Sequence, residues 1–183
     1  MATDLLIQSE KLILRPVRIE DAEIIFGYRS NTIINRFQGW IPETIDDVHD
    51  FFLNKVSAEI DQPDTWFQLA IIRKDNGELI GDIGIHFLES GSFQVEIGCT
   101  LNFNQHGKGF ATEALTETLN FLFQKLNKHR VIASIDPRNE KSIQLVERLG
   151  MRKEAHFRKS LWINNEWVDD LVYAILMEDW LEN

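Results

Sequence analysis

Apolar residues recur along the chain with two different periods, and the switches between them mark out its elements. Lys11 to Arg15 ("KLILR") alternate and stop at Pro16, which predicts a first strand. The next run, "RIEDAEIIFGYRS", has helical spacing, with Glu20 and Asp21 placed to favour the positive N-terminal end of a helix. A second helix is predicted from "TIDD". Thr44 can cap it, Asp47 stands in for the capping-box glutamate, and Val48, Phe52, Val56 and Ile60 form its core stripe.

Three strands come next. "WFQLAIIR" and "LIGDIGIHFL" are joined by Lys74 to Glu78, where Asn76-Gly77 signals a hairpin whose two central residues take positive φ. After the Ser90-Gly91 turn, "FQVEIGCTL" alternates: Phe93, Val95, Ile97, Cys99 and Leu101 share one face, and Gln94, Glu96, Gly98 and Thr100 share the other. A helix then carries the stripe Ala111, Ala114, Leu115, Thr118, Leu119, Leu122 and Leu126. "RVIASI" reads as a short strand and "NEKSIQLVERLG" as a helix closed by Gly150. Two last strands flank "INNEW", where Asn164-Asn165 suits a tight turn. The order β-α-α-β-β-β-α-β-α-β-β implies an α/β (α+β) domain, a mixed sheet with helices packed on its faces.

Composition narrows the setting. The 183 residues, 44% of them hydrophobic, suit a single domain over 1–183, with no linker, repeat or low-complexity segment. Cys99 is the only cysteine and cannot form an internal disulfide, and "MATDLLIQSEK" lacks the flank and apolar core of a signal peptide. No stretch approaches the ~18 apolar residues of a membrane span. The expectation is a cytoplasmic protein with no membrane partner. A net charge of -10, from 29 acidic against 19 basic residues, argues against nucleic acid as a partner and is compatible with a cationic one, although solubility explains the sign as well.

The chemistry begins at "NFNQHGKGFATEAL". A helix N-terminus presents unpaired N–H groups, and glycines let the backbone approach an anion closely, so Gly107-Lys108-Gly109 is a candidate phosphate cradle. It is neither the P-loop pattern nor the dinucleotide fingerprint, because Thr112 stands where a third glycine belongs. On its own it reads equally well as a structural turn. The histidines His49, His86, His106, His129 and His156 show no i, i+4 pairing, and no metal site is predicted. There is no G-x-S-x-G elbow, and Cys99 is most simply a small strand residue.

"HGKGFATEAL", preceded by "VEIGCTL" and followed by "NEKSIQLVERLGM", resembles the GNAT superfamily of acyl-CoA-dependent N-acetyltransferases, in particular its branch of ribosomal-protein N-terminal alanine acetyltransferases. The similarity runs from "EKLILRPVRIEDA" to "EWVDDLVYAILMEDW". The family's loop pattern Q/R-x-x-G-x-G/A falls on His106 to Ala111, with His106 in place of the usual Gln or Arg and Gln105 one position early.

The resemblance implies a mostly antiparallel seven-stranded sheet with helices on both faces, and a splayed parallel pair, "VEIGCTL" and "RVIASI", with acetyl-CoA between them. The pyrophosphate would meet the loop opened by His106, at the amides of Gly107, Lys108, Gly109, Ala111 and Thr112. The pantetheine arm would run along Cys99, Thr100 and Leu101 like an added strand. Asn139 would touch the cofactor, where its residue type alone implies only a helix cap. Ser142 would donate to the leaving thiolate; otherwise it is an exposed helix serine.

Glu96 is the candidate base, against a plain solvated strand glutamate, with Asp82 a weaker competitor. Trp40 and Asp82 are candidate acceptor-site residues, Trp40 being equally well a loop anchor, and Asp169 and Asp170 could attract a cationic acceptor. The reading is an acetyl-CoA-dependent N-acetyltransferase acting directly on a primary amine, whether a protein N-terminus, a polyamine or an amine antibiotic. A non-catalytic acyl-CoA-binding regulatory module and an interaction domain without cofactor are the alternatives. Oligomeric state is open: "LVYAILM" is either a buried strand or an edge that pairs with a second chain.

Overall fold

An eight-stranded open sheet runs through the computed structural model, which describes residues 5–182; residues 1–4 and 183 of the expected domain lie outside the described residues. Its strands are β1 (Ile7–Gln8), β2 (Leu12–Pro16), β3 (Thr65–Arg73), β4 (Leu79–Phe87), β5 (Gln94–Leu101), β6 (Arg130–Ile135), β7 (Arg152–Ile163) and β8 (Glu166–Leu176). They are ordered β1-β2-β3-β4-β5-β6-β8-β7, and every neighbouring pair is antiparallel except β5 with β6. The expected count of seven is corrected by β1, whose two residues pair Ile7 with Leu14 and Gln8 with Ile13. Two residues are too few to show an alternation.

Helices cover both faces. α3 (Phe110–Gln124) and α4 (Glu140–Arg148) pack through Phe110, Leu115, Leu119, Leu122 and Val146 onto the larger core, with Ile83, Ile85, Val95 and Ile97 of the sheet. On the opposite face, α1 (Ala22–Arg29) and α2 (Ile45–Asn54) bury Ala22, Ile25, Tyr28 and Val48 against Ala70 and Leu79. A short α5 (Met177–Leu181) follows β8. None of the described helices is long and apolar enough to cross a membrane.

Local chemistry explains most boundaries. Thr44 and Asp47 form the expected capping box, with the Asp47 N–H donating to Thr44 Oγ1 at 3.3 Å and the Thr44 N–H to Asp47 Oδ2 at 2.8 Å. The stripe predicted through Val56 and Ile60 overran this helix, which ends at Asn54. Val56 instead bridges Trp66, and the Ser57 N–H donates to the Trp66 carbonyl at 2.7 Å, so strand pairing wins there. α4 closes as expected: Gly150 has φ 82°, and the Gly150 and Met151 N–H groups return to Glu147 and Val146.

The two hairpin turns differ. Asn164 and Asn165 both take positive φ, 49° and 63°, in a two-residue turn between Ile163 and Glu166. At Asn76-Gly77 only Gly77 does (72°), because the five-residue connection closes through Gly77 N–H to Arg73 O and Arg73 N–H to Glu78 O. Phe93, expected on the core face of its strand, is instead a left-handed, exposed turn residue just before β5 begins. The apolar strand "LVYAILM" supplies β8, paired on both sides by β6 and β7, which leaves β1 and β7 as the edges.

Candidate active site

β5 has two unlike edges. Against β4 it pairs from Gly81↔Leu101 to Phe87↔Val95, but against β6 only Gln94↔Arg130, Val95↔Val131 and Glu96↔Ile132 are in register. The Asn102 N–H donates to Ile80 O at 2.8 Å, which fixes the alternation: even-numbered β5 residues turn their backbone groups to β4, and Ile97, Cys99 and Leu101 turn theirs away. Beyond Glu96 those groups face a gap between the parallel strands, and the Cys99 amide and carbonyl have no ladder partner there. This is the splayed pair, with a free edge suited to an added strand.

The cradle closes one end of the gap. Gly107 and Gly109 take φ of 75° and 84°, values that favour glycine, and a side chain built on either would meet nothing within 4 Å, so both leave open backbone. Gly109 is the N-cap of the 15-residue α3, whose first N–H groups have no partner within the helix. His106 Nε2–H donates to the Leu101 carbonyl at 3.0 Å, so the histidine in the loop's first position ties the loop to the end of β5. The Lys108 ammonium donates to Gln105 Oε1 at 3.1 Å, and Gln105 is itself buried. Lys108 is thus held back along the loop. A cation that reading the sequence missed stands nearer the helix start: Arg148 of α4 donates to Thr112 Oγ1 at 3.2 Å. No spacing rule links residues 36 positions apart.

α4 forms the second wall. Asn139 caps it, its side chain accepting from the Ser142 N–H at 3.3 Å. Asn139 and half-buried Ser142 line a cavity of about 100 Å³ together with Gly98 and Cys99 of β5, Ser134 of β6, and Phe37 and Gln38 from the connection after α1. Phe37 and Gln38 carried no signal in sequence. The connection is pinned over the gap by Asn164, which donates to the Arg36 carbonyl at 3.1 Å, and by the Arg138 guanidinium 5.7 Å from the Phe37 ring centre. Another cavity, of about 160 Å³, lies at the far end of β5. There the charges of Asp61 and Lys128 pair with each other.

Glu96 occupies the last paired rung before the gap, on the face opposite Cys99, across from His86. Half-buried, its carboxyl has no hydrogen-bond or ion-pair partner among the described residues, and burial raises its pKa, with His86 opposing and Asp170 reinforcing the rise. It does not line the 100 Å³ cavity but stands just beyond it. Cys99 is half-buried, and burial pushes its thiol up to about 12, so it stays protonated.

The expectation for Asp82 is corrected. Asp82 is 0% exposed, and its carboxylate accepts from Tyr28 Oη (2.5 Å), Arg29 Nε (3.0 Å), Arg29 Nη2 (2.5 Å) and Gln68 Nε2. A carboxylate so saturated has nothing left for an acceptor or a proton. Trp40 stacks on Phe51 at 4.3 Å and receives Arg29 over its ring at 5.2 Å, contacts that anchor its connection. Thr100, buried across from Asp82, holds the one side-chain polar atom among the described residues that is sealed without a partner. Asp169 accepts from the Lys159 N–H at 2.9 Å and lies 2.7 Å from His156 Nε2, whereas Asp170 accepts from Ser134 Oγ at 2.7 Å. No group of three or more His, Cys, Asp or Glu among the described residues could hold a metal ion.

The free edge, open glycine loop, helix N-terminus and polar α4 wall together fit the adenosine-diphosphate and pantetheine chemistry of coenzyme A. Comparison with known proteins agrees. Residues 11–152 match the family model of the acetyltransferase (GNAT) domain. An uncharacterised N-acetyltransferase of Bacillus subtilis, YnaD, is 32% identical over 176 residues, covering 95% of this chain and 98% of its own. The ribosomal protein uS5 alanine N-acetyltransferase of Escherichia coli is 30% identical over 115 residues, 62% of this chain and 59% of its own. The crystal structure of a GNAT-family acetyltransferase from Bacillus anthracis superposes with a TM-score of 0.84 at 30% identity, covering 95% of this chain and 99% of the other. The chain belongs to the GNAT acetyltransferase family, whose acyl donor is acetyl-CoA.

Proposed function

We propose that the protein transfers an acetyl group directly to a primary amine, a protein N-terminus or a small amine, in the gap between β5 and β6. The observation that carries this reading is the unpartnered Glu96 carboxyl at the last rung before the gap, with Ser142 lining the gap from α4. Bound acetyl-CoA supplies an acyl group already activated as a thioester.

The chain's own residues supply the rest. The amides from Gly107 to Thr112 hold the diphosphate, with Arg148 beside Thr112 adding positive charge. The Cys99 backbone pairs with the pantetheine amides, and Asn139 keeps α4 capped with Ser142 turned to the gap. Glu96 takes the ammonium proton so that the nitrogen can attack, directly or through one water. Burial raises its pKa, which makes it a stronger base than an exposed glutamate. Ser142 Oγ–H donates to the departing sulfur. General acid–base help of this kind contributes about 10²–10⁴-fold.

The acidic chain and the Glu96 and Asp170 carboxyls support a cationic acceptor over an anionic one. The test is thiol release from acetyl-CoA with N-terminal peptides, polyamines and amine antibiotics, run beside thermal stabilisation by CoA. Release that depends on an amine is the expected result. Stabilisation by CoA without release for any amine would instead favour the regulatory acyl-CoA-binding module, and neither signal would remove the cofactor site itself.

A further inference from the structure

The face of the sheet that carries Glu96 has a bare patch beside it. Gly98 and Gly84 are cross-strand partners, flanked by the pair Glu96 and His86 on one side and Thr100 and Asp82 on the other. Trp66 stacks on His86 with ring centres 4.7 Å apart and closes that end. The two glycines have different reasons to be there. A methyl group on Gly84 would come within 3.1 Å of Gln68 Oε1 and 3.2 Å of the Trp66 ring, so packing explains it. A methyl on Gly98 would meet nothing within 4 Å, and Gly98 has no positive φ. Neither backbone geometry nor internal packing requires a glycine at this position.

Glycine inside a strand weakens it, and where packing gives no reason it marks close approach by a ligand. The patch over Gly98 is exposed and adjoins the partnerless Glu96 carboxyl. Across the gap, Asp170 is 8% exposed, accepts from Ser134 Oγ at 2.7 Å and has no cationic partner among the described residues. Open backbone beside the Glu96 carboxyl, with Asp170 close enough to influence that carboxyl electrostatically, fits an ammonium group and the carbon that bears it.

We propose that Gly98 is a specificity-determining residue. Its bare backbone receives the carbon bearing the reacting amine and restricts productive acceptors to primary amines with a small group on that carbon. The inference rests on acetyl transfer in this same cleft. Because the Gly98 side-chain direction is opposite to that of Ile97 and Cys99, filling the patch leaves the cofactor edge as it is.

The experiment compares wild type, Gly98→Ala and Gly98→Val with peptides that differ only in a first residue of Gly, Ala or Val. In Gly98→Ala, kcat/KM for the Ala peptide is expected to fall at least about tenfold while the Gly peptide changes by less than about threefold, and Gly98→Val loses both. Far-UV circular dichroism and thermal unfolding that match wild type show that the variants fold. Wild-type turnover with the same Ala-to-Gly ratio in Gly98→Ala overturns the assignment and leaves acetyl transfer standing. No turnover by wild type with any amine overturns the acetyl-transfer reading, and this inference with it.

Discussion

Asp82 and Glu96 sit on the same face of adjoining strands, each with a cross-strand partner in the β4–β5 ladder, yet they have become opposite kinds of carboxylate. Asp82 is sealed and takes four hydrogen bonds from Tyr28, Arg29 and Gln68. Glu96 is only half-buried and takes none, and burial raises its pKa. Partners, more than burial, separate the two roles. A buried charge that is fully paired belongs to the scaffold, and one left unpaired at a cleft is available to a ligand.

The contrast can be broken from either end. The largest effect is expected at Asp82→Ala, which strands the buried Arg29 guanidinium and should cost about 3–5 kcal/mol in urea unfolding. An unchanged midpoint would mean the cluster is not structural. Glu96→Gln should do the reverse, lowering kcat about 10²–10⁴-fold with the fold intact. Its stability has a definite sign. Glu96 has a raised folded pKa, so its contribution is favourable below the unfolded pKa and is lost as pH rises through the folded value. Removing the charge should therefore leave neutral-pH stability equal or higher.

Smaller effects sharpen the cofactor side. If Ser142 donates to the leaving sulfur as proposed, Ser142→Ala should lower kcat by about tenfold, with stabilisation by CoA retained. A fall in CoA stabilisation with kcat unchanged would make it a binding residue. Cys99→Ala should alter kcat/KM by less than about threefold, because the strand offers its backbone there and a thiol pushed up to about 12 is not a nucleophile.

How far this was legible in the sequence follows from what each feature depends on. Glycine positions report backbone conformation directly, so the left-handed turns at Gly107 and Gly109 and the Gly150 helix end could be read from residue type. Alternation along "FQVEIGCTL" assigned Ile97 and Cys99 to one face and Glu96 and Gly98 to the other. Asp82 was misread because a side chain's partners come from distant elements: Tyr28, Arg29 and Gln68 saturate it. Phe37 and Gln38 reach the cavity on a connection held in part by Asn164 and Arg138, more than a hundred residues on. Val56 kept helical spacing after the backbone had turned to pair with Trp66, which periodicity cannot register.

The central claim is that Glu96 is the base in this cleft, and the most direct test is the pH dependence of kcat/KM for the best acceptor in wild type and Glu96→Gln. The account predicts a wild-type acidic limb with a pKa above the usual glutamate value of about 4.3, absent from the variant, leaving only the limb set by the amine's own ionisation. Identical profiles in the two proteins, with comparable kcat, would contradict it.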